Sequence, residues 1–332
     1  VRAVVPVFRA LAVTIAILIA VDAIFYLTFP HFTRLRYSFS EAYLAREASA
    51  IRAERPIVVL GDSVLWGFGV SERESAVGIL GSRDAAWRNL AYVGGSPVNT
   101  LAMLRFLLHS GVLPREVVFN VNQKQFNVED SAYQKLYPAV EEAAWTYTPT
   151  RERATLESVL QQTPDARIDR ALSNVWHLYG MRPDLRDAIF GTSDAAHAIQ
   201  DVVEHISGAE QEANASHRPT PDKFEGTYDL TPLAKGNVNF DALAEIGTIL
   251  SKEHVPAVAI LTPTNHRLLH DYIDVPDYAR NLERTRSLLE HYGIRVLNLD
   301  ARFPAGDFID NDHLTVRGNA EFALILKQTA TP

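Results

Sequence analysis

The chain contains no cysteine among its 332 residues. That removes thiolate nucleophiles, disulfides and thiolate metal sites together, and it suits an oxidising compartment without requiring one. There is no run of lysine and arginine, and the formal net charge is −8. Affinity for a phosphate backbone depends on clustered cations that release counterions, so a nucleic-acid partner is not expected. Low-complexity tracts and internal repeats are also missing. A content of 47% hydrophobic and 22% charged residues is that of a globular protein with ample core. The chemistry left open is that of serine, histidine and carboxylates, and no cofactor is implied.

One long apolar run is present. From Val7 to Phe29 it is interrupted by Arg9, Thr14, Asp22 and Thr28. At about 1.5 Å per helical residue it is long enough for a hydrocarbon core of about 30 Å. Val21-Asp22-Ala23 has the look of a cleavage site, but the apolar run continues through Ile24-Phe25-Tyr26-Leu27, which favours a retained single-pass anchor over a removed signal. The expected organisation is an anchor over residues 1–32, an exposed amphipathic connector over 33–55, and a globular domain over 56–332 lying outside the cytoplasm. Arg2 and Arg9 before the span against Arg34 and Arg36 after it leave orientation nearly undetermined.

The domain opens on Ile57-Val58-Val59-Leu60-Gly61-Asp62-Ser63. Four apolar residues read as a buried strand, Gly61 ends it, and Ser63 falls in the turn beyond. Ligands of open α/β sheets bind in the crevice at the carboxyl ends of the strands. Ser63 is therefore well placed for a nucleophile, provided that a base lies near it. Further strands are expected at Val117–Val121, Ala257–Leu261 and Arg295–Leu299. Ala86–Ala91 leads into Gly94-Gly95-Ser96-Pro97, which again directs backbone N–H groups at the crevice. Helices are expected over Asn99–Ser110, Phe240–His254, Tyr278–Tyr292 and from Asn319. The alternation predicts a mainly parallel sheet wrapped by helices. Residues 123–235 break it and read as a largely helical insertion over the crevice.

Among the eleven histidines, His313 stands in a loop at that same end, with Asp310 three residues upstream and Asp312 adjacent. Either aspartate can accept from Nδ1–H, leaving Nε2 to take the serine proton. His266 and His270 lack the glutamate of a zinc-peptidase helix and read as ordinary polar positions. Asn120 and Asn122, at the end of the third strand, suit either a turn cap or an oxyanion donor.

Gly61-Asp62-Ser63, the stretch Asn89 through Gly94, and Asp310-Asn311-Asp312-His313-Leu314-Thr315 together resemble the blocks of the SGNH (GDSL) hydrolases. The resemblance implies a three-layer α/β/α, flavodoxin-like fold and a Ser63–His313–Asp310 triad. It implies oxyanion donors at the Ser63 N–H, the Gly94 N–H and Asn122, although the third block here is Asn120-Val121-Asn122-Gln123 instead of Gly-x-Asn-Asp. With the anchor, the run Val117 to Phe126 is also similar to membrane-anchored D-alanine-transfer proteins, which work beside membrane-bound O-acyltransferases on cell-envelope polymers. The function implied is an esterase or O-acyltransferase on acylated envelope glycans. A lipid esterase and a non-catalytic partner of a membrane-bound O-acyltransferase are the alternatives.

Overall fold

The computed structural model describes residues 4–28, 41–84, 86–92, 94–127, 176–180, 220–224, 226–228 and 236–329, with the single residues 168, 172 and 233. The chain divides into two compact units, one of residues 1–45 with 162–210 and one of residues 46–161 with 211–332.

The second unit is built on five parallel strands, β1 (Ile57–Leu60), β2 (Trp87–Asn89), β3 (Glu116–Val121), β4 (Ala257–Leu261) and β5 (Arg295–Asn298), in the order β2-β1-β3-β4-β5. Strands β1, β3 and β4 are buried throughout. Covering on both faces is why they read as unbroken apolar runs instead of alternating ones. Strand β5 lies at the edge and is only half-buried, with Arg295 reaching back to the buried Glu116 at 3.2 Å. Sheet order reverses direction between β1 and β3, and such a switch point opens a crevice at the strands' carboxyl ends. The register sets Leu60 beside Phe119 and Phe119 beside Ala259. Gly61, Asn120 and Ile260 therefore emerge at one level.

Helices α3 (Ser63–Trp66), α4 (Ala76–Arg83), α5 (Pro97–His109), α7 (Val238–Lys252), α8 (His266–Ile273), α9 (Pro276–His291) and α10 (Val316–Thr329) surround the sheet. They form two groups, α4 with α10 and α5 with α7, the latter also packing on α9. Apolar positions at three- and four-residue spacing explain the burial of Ala242, Leu243, Ile246 and Leu250 on α7.

The connector departs from its expected exposure. Residues Glu41–Glu54 form helix α2, on which Ala48 and Ile51 are buried and Glu54 pairs with Arg88 at 2.8 Å. Its helical spacing of alanine and isoleucine is a packing face, so the globular unit begins near Arg46. The boundaries of the insertion also move inwards. Gln123–Phe126 is a buried 3₁₀ turn, and Phe224, Tyr228 and Leu233 are buried, with the Leu233 N–H donating to Asn281 at 2.9 Å. Most of the expected helical insertion beyond Asn127 lies outside the described residues.

In the first unit, α1 (Val4–Thr28) covers the apolar run and packs with the short helix α6 (His177–Gly180). Asp22 of α1 accepts the Leu178 N–H at 2.7 Å, which satisfies the one carboxylate of that run. Described apolar side chains of α1, from Val13 to Leu27, are largely exposed. Among the described residues, no helix is long and apolar enough to cross a membrane.

Candidate active site

Gly61 ends β1 at φ +133°, and a Cβ there would lie 2.0 Å from Asn120 Oδ1. Only glycine allows the chain to turn so close to β3. Asp62 then caps α3, accepting the Val64 N–H at 2.9 Å. Ser63 is the first residue of that helix, and Gly67 closes it in the left-handed conformation at φ 91°. The loop after β2 runs directly alongside. The Tyr92 N–H donates to the Gly61 carbonyl at 3.1 Å, and a Cβ on Gly95 would fall 2.3 Å from that oxygen.

His313 reaches Ser63 across 250 positions of sequence. It is carried by the loop between β5 and α10. That loop is folded back by an antiparallel bridge between Phe308 and Leu314 and by the Ile309 N–H on the His313 carbonyl at 2.8 Å. Ser63 Oγ stands 2.7 Å from His313 Nε2, and His313 Nδ1 stands 2.8 Å from Asp310 Oδ2. The other Asp310 oxygen accepts the backbone N–H groups of His313 at 2.9 Å and Asp312 at 3.1 Å. Asp312 Oδ1 lies 3.4 Å from the same Nδ1 and forms no hydrogen bond. Geometry thus separates the two aspartates that spacing left equivalent. The Phe68 ring, 4.7 Å from the imidazole between centroids, covers its side.

The loop is held from β4. The Asn265 N–H donates to the Asn311 carbonyl at 2.8 Å and its side-chain amide to the Asp310 carbonyl at 2.9 Å. The Thr264 N–H donates to the Asp300 carbonyl at 2.9 Å. Asp300 also accepts from Tyr278 and pairs with His266 Nε2 at 2.7 Å. His266 is therefore a member of this brace. Its hydrogen bond to Asp300, opposed by partial burial, lifts the imidazole above 6.5.

Charges beneath the triad are unevenly matched. Burial alone would raise Asp310, but the His313 ring hydrogen bond, the imidazolium charge and two backbone N–H groups hold its carboxyl down at about 2. Burial opposes the His313 imidazolium, yet the charge of Asp312, then the hydrogen bond and charge of Asp310, push it above 6.5 while Lys124 pulls the other way. Asp62 is pushed above 3.8 by burial and by Asp312, against Lys124 and its own hydrogen bonds. Those bonds come from the Val64 N–H at 2.9 Å and the Asn120 amide at 2.7 Å, and Gln125 also donates to the other oxygen at 2.9 Å.

The expected oxyanion donors fall in different settings. Neither the Ser63 N–H nor the Gly94 N–H meets an acceptor among the described residues, and a Cβ on Gly94 would face open space. Asn122 is turned elsewhere. Its side-chain amide donates to Asp312 Oδ2, and its oxygen caps the 3₁₀ turn at the Lys124 N–H. The geometry therefore gives Asn122 a capping and bracing position in place of the oxyanion contact expected of it. Among the described residues, Asp310, Asp312 and His313 offer ligand atoms that all lie within 4.8 Å of one another. Lys124 already pairs with Asp312 there, and His313 with Asp310, which makes the group a charge network in its own right.

Sequence reasoning missed Lys124, Gln125, Phe68 and Asn265. The signal for the first two was present. Asn120-Val121-Asn122-Gln123-Lys124-Gln125 is a dense polar run immediately after a buried strand, and buried polar groups need partners. Set against known proteins, the chain matches no family model and no curated relative.

Proposed function

We propose that the chain is a serine esterase or O-acyltransferase of the SGNH type. It would act on ester-linked acyl groups of an envelope polysaccharide and be held at the membrane by its N-terminal helix. The observation that carries this reading is the hydrogen-bonded line Ser63 Oγ–His313 Nε2, His313 Nδ1–Asp310 Oδ2 at the mouth of a parallel sheet. The three-layer SGNH arrangement, the extracytoplasmic location and a membrane-bound O-acyltransferase partner follow from the sequence resemblance and belong to the same proposal. Exposed apolar side chains along α1 support its burial in lipid.

In this mechanism His313 Nε2 takes the Ser63 proton as Oγ bonds to the acyl carbonyl carbon. The carbonyl oxygen takes up the negative charge and is met by the Ser63 and Gly94 N–H groups. Collapse expels the sugar oxygen, which receives the proton from His313, and leaves the acyl group on Ser63. An incoming hydroxyl then loses its proton to His313 and attacks the acyl-serine, and the departing Ser63 Oγ takes that proton back from Nε2. Water makes the chain an esterase, and a sugar hydroxyl makes it a transferase. Asp310 keeps the Nδ1 proton in place and stabilises the imidazolium throughout.

A fluorophosphonate probe tests the reading. It is expected to label the wild type and to leave Ser63→Ala unlabelled. A wild type that resists the probe would return the chain to the non-catalytic alternative.

A further inference from the structure

Behind the triad lies a buried ion pair that the mechanism does not use. Lys124 Nζ contacts Asp312 Oδ2, and Asn122 donates to the same oxygen. Asp312 is completely buried, and Lys124 is 9% exposed. The other Asp312 oxygen has no hydrogen bond among the described residues and faces His313 Nδ1 at 3.4 Å. Nδ1 thus looks at two carboxylates, Asp310 through a hydrogen bond and Asp312 through space.

The ionisable groups around the imidazole come from three places. Asp310 and Asp312 stand on its own loop, Lys124 on the turn after β3, and Asp62 at the end of β1 acts on the cluster through Asp312 and Lys124. Among the described residues, three carboxylates face one ammonium. Two carboxylates at one imidazole favour the imidazolium, and a protonated His313 has no lone pair on Nε2 for the serine proton.

We propose that Lys124 is a positioning residue for the Ser63–His313–Asp310 triad, neutralising Asp312 so that His313 stays uncharged and ready to act as base. The role rests on the esterase reading for its catalytic meaning, though not for its electrostatics. Asn122 belongs to the same device. Its amide fixes the Asp312 oxygen that the ammonium holds, and its carbonyl oxygen fixes the backbone of Lys124 itself. The polar run after β3 is thereby explained as a support for the base and not as a contact to substrate.

The test is a titration of His313 by NMR in the full-length, detergent-solubilised protein with labelled histidine, the signal being assigned by its loss in His313→Gln. Lys124→Met keeps the length of the side chain and removes the charge. It is expected to raise the His313 midpoint by about one pH unit, the low end for a full charge beside a buried group. The acid limb of kcat/KM on an aryl acetate should move by the same amount, because that limb reports the base in free enzyme. The double variant Lys124→Met with Asp312→Asn removes both charges, and because the carboxylate stands nearer the ring than the ammonium does, its midpoint should fall below that of wild type. A purely structural lysine would lower stability and leave the midpoint where it was. An unmoved or lowered midpoint in Lys124→Met overturns the proposal. Should that variant not fold, the double variant decides, and a midpoint at or above wild type there overturns it equally. The titration needs no turnover, so a protein that resists fluorophosphonate yet shows the shift would refute the hydrolase reading alone.

Discussion

Asp310→Asn changes one oxygen into an NH₂ group, and the structure fixes which one. Asp310 Oδ1 accepts two backbone N–H groups, from His313 and Asp312, so the amide oxygen must stay on that side. The new NH₂ then replaces Oδ2 opposite His313 Nδ1, where the separation is 2.8 Å. Two donors cannot face each other at that distance, and the imidazole responds by moving its proton to Nε2. An Nε2–H points at Ser63 Oγ and cannot receive its proton. The side chain keeps its shape and the tautomer is wrong, which by analogy with serine proteases costs about 10⁴ in kcat, or roughly 5.5 kcal/mol of transition-state stabilisation. The assay is kcat on an aryl acetate, with near-UV circular dichroism as the check that folding is intact. A loss of less than about tenfold, or 1.4 kcal/mol, would refute the assignment. It would mean that Asp312, 3.4 Å from Nδ1, already orients the ring.

Wild-type kcat/KM should rise with pH through a midpoint above 6.5, because only neutral His313 accepts the proton and its environment favours the imidazolium. Asp310, held at about 2, remains ionised across that range, so a second acid limb near pH 4 in the pH–rate profile would contradict the arrangement. Gly61→Ala forces a Cβ to 2.0 Å from Asn120 Oδ1 at a positive φ. About 1–3 kcal/mol of backbone strain and a similar cost for displaced buried hydrogen bonds should appear as a lower urea midpoint, and an unchanged unfolding curve would count against the tight turn. The anchor reading expects the chain to stay in the pellet after an alkaline-carbonate wash; recovery as a shortened soluble protein beginning near Ile24 would replace the anchor with a cleaved signal.

Much of this site was legible before any coordinates. Short apolar runs marked β1, β3 and β4, and the Asp-x-x-His spacing placed His313 in a loop at the crevice. The hidden part is whatever depends on register. Asn120 meets Asp62 because β1 and β3 align Leu60 with Phe119, a pairing across 58 positions that no local pattern displays. Asn122 meets Asp312 across 190 positions, which is why a cap and brace could be taken for an oxyanion donor. Helix α8 was hidden for a different reason. Its buried face is narrow, Leu269 and Ile273 alone, within a segment rich in polar residues.

The 250 positions between Ser63 and His313 also impose a timetable. A ribosome adding about 5–20 residues per second needs roughly 12–50 s to travel from the serine to its base. Throughout that interval the nascent chain carries an ordinary alcohol at Ser63. No part of β1 or its turn supplies a partner for it, since His313, Asp310 and the Asn265 clasp all lie more than 200 positions further on. On the proposed reading, reactivity therefore switches on only after the His313 loop has been made and the unit has folded. If Ser63 is the nucleophile proposed above, a probe that counts acylated serine counts folded molecules, and the site reports assembly as much as activity.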